Sequence, residues 1–294
     1  MESPQVDTLP SWLQTPHAAI DRLLLLLWGK SGCGKTTLAG TAPGPILWIN
    51  FDPDGTSALT HLDQVSIIDL SREEDYITKR FMDIDPKIAG EGKNEPLGTT
   101  LLKENNKYGY HCNTVVFDSC TTFGDMALRA GVDSVKNTPK GRSEGVTQED
   151  PGRGGYGRKN LYMNRAVQRM IRLTGAYNKH LIVIAHEDKP LTDKQGNPTE
   201  LSLLLGGSLK QQIPIPFGEV WYLHQYKGKR KVYIRDTHVN GVHTTPMKSK
   251  IYDNEDKNAS FVWDYSVRKG TGSTLESIYS KWVSNQGRKL SVPT

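Results

Sequence analysis

Five short apolar runs punctuate the first two thirds of the chain, and each is separated from the next by polar, glycine-rich sequence. Residues 23–28 read LLLLLW, 46–51 ILWINF, 65–70 VSIIDL, 114–117 TVVF and 181–185 LIVIA. Each has strand length, and a run without polar alternation fits a strand buried on both faces. Between them lie stretches with helical signals. A helix is expected from Lys35 to about Ala42, stopped by Pro43-Gly44-Pro45. Another is expected over 71–82, with Ser71 and Glu74 as a capping box. A third follows Gly157, with Leu161, Val167, Met170, Ile171 and Thr174 near one face. Late in the chain, Leu275, Ile278, Tyr279 and Trp282 repeat at helical spacing behind Ser273 and Glu276. Runs 220–226 and 230–236 flank Lys227-Gly228-Lys229 and read as a hairpin. Strands alternating with helices predict an α/β fold: a mostly parallel sheet with helices on both faces and an antiparallel hairpin at one edge.

Three segments fall outside this pattern and read as loops: 83–110, 131–157 and 189–207. Loops of that length in a domain this size tend to be functional. The prolines at 4, 10 and 16 mark residues 1–20 as an irregular arm. Residues 21–252 then form the core, and 253–294 an extension carrying one amphipathic helix. No internal repeat is found.

Composition narrows the class. The chain has 294 residues, 36% hydrophobic and 23% charged, as expected of a globular protein. Its longest apolar run is far below the ~20 residues that span a bilayer, and residues 1–10 lack a signal-peptide pattern. Three cysteines, Cys33, Cys112 and Cys120, have no metal-ligand spacing. They point to a reducing, cytoplasmic compartment. A net charge of +5 is small, but its distribution is uneven. Lys136, Lys140, Arg142, Arg153, Arg158, Lys159, Arg165, Arg169 and Arg172 crowd one stretch, and Lys227, Lys229, Arg230 and Lys231 another. Such clusters suit a polyanion such as nucleic acid, although a solvated surface has the same composition.

The chemistry begins directly after the first apolar run. Gly29-Lys30-Ser31-Gly32-Cys33-Gly34-Lys35-Thr36 satisfies the P-loop pattern, with Thr37 adjoining. Glycines let backbone N–H groups curl around phosphates. The Lys35 ammonium reaches the β- and γ-phosphates, and the Thr36 hydroxyl ligates Mg²⁺. This predicts a site for a nucleoside triphosphate, ATP with Mg²⁺. Asp118, ending the 114–117 strand, stands where a second Mg²⁺-directed carboxylate is needed. Asp52 and Asp54 follow the 46–51 strand and are candidates to orient and deprotonate an attacking water. Asp52-Pro53-Asp54-Gly55 is equally a good β-turn. His186, after the 181–185 strand, either senses the γ-phosphate or is a structural histidine. Lys248 and Lys250 alone read as solvated lysines.

Several of these motifs together resemble the RecA-like ATPases of bacteriophages associated with single-strand annealing and recombination. They are GKSGCGKTTLAG, ILWINFDPDG, TVVFDS, LIVIAHED and LLLGGSLKQQIPIPFGEVWYL, and the resemblance covers residues 23–250. It implies a RecA-like core, hydrolysis of ATP stimulated by DNA, binding of single-stranded DNA, assembly into a ring or filament, and contact with a single-strand-binding protein. It implies that the acid after the second strand is the base. Where the family usually has Asp-x-Glu-Gly, this chain has Asp54 in place of the glutamate, a shorter reach. It also implies that Lys248 and Lys250 enter a neighbouring subunit's ATP site. Two mobile loops would lie at 133–159 and 189–207. Arg142, Arg153, Tyr156, Arg158 and Lys159 in the first would meet phosphates and a base. A hexameric helicase or helicase loader shares the same core. A nucleotide-regulated interaction protein with little turnover, and a small-molecule kinase, are further classes; the kinase is disfavoured by the lack of a lid-like arginine cluster soon after the P-loop.

Overall fold

A computed structural model describes residues 22–53, 55–71, 111–143, 145–253, 255, 258–266, 270–285 and 288–293. The arm at 1–20, Asp54, the helix expected over 71–82 (apart from Ser71) and the loop expected over 83–110 lie outside the described residues.

The apolar runs form the middle of an eight-stranded sheet, ordered β12-β9-β8-β1-β5-β4-β2-β3. β1 (Leu24–Gly29), β2 (Ile46–Asn50), β3 (Val65–Asp69), β4 (Thr114–Asp118), β5 (His180–His186) and β8 (Glu219–Tyr226) are its parallel members. β9 (Lys229–Tyr233) returns antiparallel to β8, and β12 (Ser260–Trp263) pairs antiparallel with β9. The expected hairpin is therefore continued by one further strand from the C-terminal region. β1, β2 and β4 are buried over nearly their full length, which explains their lack of polar alternation.

Successive residues of β1 face opposite layers. Leu25 and Leu27 share a cluster with Leu38 and Ala39 of α1 (Lys35–Ala39), and with Leu275, Ile278 and Trp282 of α6 (Leu275–Ser284). Leu26 and Trp28 face the other layer. There Phe123, Met126 and Ala127 of α2 (Cys120–Lys136) pack with Met163, Ala166, Val167 and Met170 of α4 (Gly152–Ala176). So helices cover both faces, and the mostly parallel α/β class of a P-loop core is the fold observed.

Two expected loops contain regular structure. Most of segment 131–157 is helical: it holds the end of α2, a short α3 (Pro139–Ser143) and the start of α4. Its glycines suggested a loop, but Gly131 and Gly155 serve packing. A Cβ built on Gly131 would lie 2.8 Å from the Gly155 carbonyl oxygen, and one on Gly155 would lie 3.0 Å from a Val132 methyl. Glycine normally costs a helix about 1 kcal/mol against alanine, and here tertiary contact between α2 and α4 outweighs it. Segment 189–207 likewise contains β6 (Leu191–Thr192) and β7 (Pro198–Leu201). These join β10 (Thr237–Val239) and β11 (Val242–Thr244) in a second, four-stranded sheet. The short α5 (Leu209–Gln212) follows that segment. The cap of α6 is one residue later than expected: Thr274 and Ser277 form the reciprocal capping box. No described helix is long and apolar enough to cross a membrane.

Candidate nucleotide site

The turn after β1 is shaped by three positive-φ glycines, Gly29, Gly32 and Gly34. Gly29 has a second constraint: a Cβ there would sit 2.2 Å from the Leu223 carbonyl oxygen of β8. Gly34 takes a left-handed conformation (φ 102°) as the residue that opens α1, a geometry that favours glycine. Lys35 is only 5% exposed. Its ammonium donates to the carbonyl oxygens of Gly29 and Lys30, both at 2.9 Å. An ammonium carries three N–H bonds, so one is left for a phosphate oxygen. Burial lowers the Lys35 pKa, and the nearby carboxylates of Asp118 and Asp52 resist that shift.

At the carboxyl edge of the sheet, β4, β2 and β5 bring Asp118, Asp52 and His186 together beside the loop. The Thr36 hydroxyl faces Asp118 Oδ2 at 3.4 Å. Asp52 accepts from the Ser119 hydroxyl at 2.9 Å and from the Thr122 hydroxyl. Its other oxygen meets His186 Nε2 at 3.1 Å. Desolvation works to raise the Asp52 pKa, but the contacts with His186, Thr122 and Ser119 prevail and hold it below the ordinary value. Asp118 differs. Burial, reinforced by the charge of Asp52 and opposed by Lys35, pushes its pKa up to about 7. One carboxylate is thus kept ionised by donors while its neighbour is readily protonated, a division of environments that separates roles.

Thr36 and Asp118 offer a hydroxyl and a carboxylate, hard oxygen donors of the kind Mg²⁺ prefers. Among the described residues no group of three or more His, Cys, Asp or Glu is placed to hold a metal. The remaining ligands would therefore be phosphate oxygens and water, as usual for Mg²⁺ in phosphate sites. When bound, the ion would neutralise charge on the phosphates. Since Asp118 must lose its proton to serve a cation, Mg²⁺ binding should weaken as pH falls below about 7. Titrating Mg²⁺ against nucleotide-bound protein at pH 6 and pH 8 checks this; a roughly tenfold weaker affinity is expected at the lower pH.

Sequence reasoning missed four members of this corner. Ser119 caps α2 by accepting from the Thr122 backbone N–H, and a serine directly after a strand and before a helix was a readable capping signal. Thr122 gave no local signal for its bond to Asp52. The Thr121 hydroxyl accepts from the His186 backbone N–H at 2.9 Å. The Asn50 amide donates to the Asp52 carbonyl at 2.9 Å and to the Asp69 carboxylate at 3.0 Å, which fixes the turn after β2.

The other candidates stand elsewhere. Lys248 bridges Val220, while the P-loop's Gly29 pairs with Leu223. Three residues of strand separate them, about 10 Å along β8, and the displacement is toward the amino edge. Lys248 and Lys250 are therefore not part of this chain's own phosphate corner. They are held in place by the buried Glu219. Its carboxylate accepts from Trp221 Nε1 (2.8 Å), the Ser249 hydroxyl (2.5 Å) and the backbone N–H groups of Lys250 (2.6 Å) and Ile251 (3.1 Å). Burial raises its pKa to about 7 against those four donors. Glu219→Gln replaces one acceptor oxygen with a donor, so at least one partner is left buried and unsatisfied. A stability loss of about 2–3 kcal/mol is expected, measurable by urea unfolding.

Arg142 lies on α3, and Arg153, Tyr156, Arg158 and Lys159 lie in the first two turns of α4, on helices rather than in a loop. Arg142, Arg153, Tyr156 and Arg158 are exposed. Lys159 is half-buried, its stem covering Gly124 and its amine about 4.0 Å from a Cβ built on Gly206. Cys33, Cys112 and Cys120 are all free and buried.

A phosphate-cradling turn after a buried strand, a hydroxyl–carboxylate pair and a hydrogen-bonded second acid on adjacent parallel strands define a P-loop ATPase. Residues 22–245 match the family described as an AAA domain, and the chain belongs to that family. Nucleotide binding, usually with Mg²⁺, comes with that membership. Comparison with curated proteins gives no match.

Proposed function

We propose that this ATPase binds single-stranded DNA along an assembly of its own copies, and that ATP hydrolysis at subunit boundaries drives annealing or strand exchange. The observation that best supports DNA binding is the clustering of cationic helix ends. Val135 near the end of α2 lies against Gly141 of α3 and Gly154 of α4. The ends of these helices carry the exposed Arg142, Arg153 and Arg158, and Arg153 is one turn from Tyr156, itself 52% exposed. An accessible aromatic among arginines suits a flexible strand, because bases stack on the ring while the cations meet phosphates.

Assembly finds support at the opposite edge. Ile215 is 70% exposed between Pro214 and Pro216, and the Lys248 ammonium donates to its carbonyl oxygen. Lys248 and Lys250, exposed and remote from their own P-loop, would serve a neighbour's phosphates, Lys248 with the N–H bonds that Ile215 leaves unused, and Asp52 would orient the attacking water in the site it borders.

The test is hydrolysis measured with and without a single-stranded oligonucleotide. Stimulation is expected; an unchanged rate counts against the DNA reading. Changing Arg153, Arg158 and Lys159 together to Ala should weaken oligonucleotide binding and flatten its salt dependence, because fewer counterions are released. Each lost phosphate contact should reduce the slope of log affinity against log salt by about 0.7.

A further inference from the structure

The edge of the P-loop away from Asp52, Asp118 and His186 carries a cation that the phosphate corner does not use. Arg230 stands on β9, where it pairs with Trp263 of β12 on one side and Gln225 of β8 on the other. Its guanidinium lies over the Trp263 ring, 5.2 Å from the centroid. It also reaches across β8 to the P-loop. A Cβ built on Gly34 would sit 3.0 Å from Arg230 Nε and 3.2 Å from Cζ. The arginine therefore lies directly against the loop, while the left-handed backbone angle is what calls for glycine at position 34.

Three features make this arrangement hard to explain as packing. Among the described residues the Arg230 side chain makes no hydrogen bond or ion pair, and its guanidinium contacts the Trp263 indole. Lys229 and Asp264 line the same cleft as Arg230, and neither forms an ion pair with it. And the side chain is not enclosed. A cleft of about 290 Å³ runs along it, lined by Lys229, Arg230, Trp263 and Tyr265 among others. A guanidinium has five donors. Set beside a P-loop glycine with its donors unused, it is placed to meet an anion bound in that loop.

The direction of the nucleotide supports the same conclusion. Asp118, Asp52 and His186 sit on β4, β2 and β5, all on one side of β1. A triphosphate whose γ end meets those residues runs back along the loop toward β8 and β9, the side on which Arg230 stands.

We propose that Arg230 is a nucleotide-binding residue acting within its own subunit: its guanidinium, placed over the Trp263 ring, donates to non-terminal phosphate oxygens of the nucleotide in the P-loop. This rests on the P-loop binding a nucleotide. The contact with the indole restricts the side chain in advance, so less rotamer freedom is lost on binding. No bond is made or broken in this role. Because the contact is to phosphates that ADP retains, it should hold ADP as well as ATP.

The experiment measures binding of ADP and of inorganic tripolyphosphate by calorimetry to wild type, Arg230→Gln and Lys35→Ala. Thermal unfolding of each is recorded without ligand. Arg230→Gln keeps much of the stem over Trp263. It is expected to weaken both ligands at least tenfold, with an unfolding temperature within about 2 °C of wild type. Unchanged ADP affinity would overturn the proposal. So would a loss confined to ADP, which would place the contact on the nucleoside, and so would a marked fall in unfolding temperature, which would make Arg230 structural. If wild type binds neither ligand, or Lys35→Ala binds both as wild type does, it is the nucleotide reading of the P-loop that fails.

Discussion

Replacing Lys35 by alanine should reduce ATP hydrolysis at least 100-fold without destabilising the protein. The first half follows from charge: Lys35 is the one side chain that the loop itself directs at the β- and γ-phosphates. Loss of one preorganised donor to developing charge costs about 3–4 kcal/mol in comparable sites. The second half follows from burial. Lys35 is 5% exposed, and desolvation already lowers its pKa. Its bonds to the Gly29 and Lys30 carbonyl oxygens hold a buried cation rather than a packed apolar group. Removing it relieves a desolvation penalty while losing two hydrogen bonds, and these offset to within about 1–2 kcal/mol. The measurements are steady-state hydrolysis and thermal unfolding of the same preparation. Wild-type turnover in the variant would defeat the assignment of the loop.

Replacing Asp52 by asparagine should remove turnover and spare ATP affinity. Asp52 Oδ1 takes the Ser119 and Thr122 hydroxyls, and Oδ2 faces His186 Nε2. Those donors keep the carboxylate ionised, and an ionised acid is what a base must be. Asparagine preserves shape and cannot accept a proton, so a rate loss of about 10²–10⁴ is expected. Affinity should change less than about threefold, since Lys35 and the loop backbone bind the phosphates. Single-turnover hydrolysis and equilibrium binding separate the two effects. The same change at Asp54 is the comparison: if Asp54→Asn stops turnover and Asp52→Asn does not, Asp52 is a turn residue and its neighbour the base.

Much of this was legible in the order of residues. A run of five leucines and a tryptophan cannot be half-solvated, so β1 had to be a central strand, and the P-loop pattern follows it directly. The glycines at 29, 32 and 34 mark backbone angles that other residues rarely adopt. Strand alternation with helices fixed the sheet as mostly parallel. The carboxyl ends of those strands then had to carry the chemistry, which placed Asp118, Asp52 and His186 on one edge. These are local signals, and local signals survive without tertiary knowledge.

What the chain folded into three dimensions decided is of a different kind. Gly131 and Gly155 are helical where α2 and α4 approach closely, a contact between residues more than twenty apart that no window of sequence reports. Segment 189–207 builds strands because β7 finds β11, over forty residues later. The hydroxyls of Ser119 and Thr122 became ligands of Asp52 only when β4 paired with β2. Register along β8 took Lys248 and Lys250 away from their own P-loop. The same sheet brought Arg230 to Gly34 across a strand that lies between them. Periodicity and motif depend on neighbours in sequence, and so the sequence determined the elements and the phosphate loop. Pairing register and close packing depend on neighbours in space, and so the tertiary structure alone decided which side chains share a site.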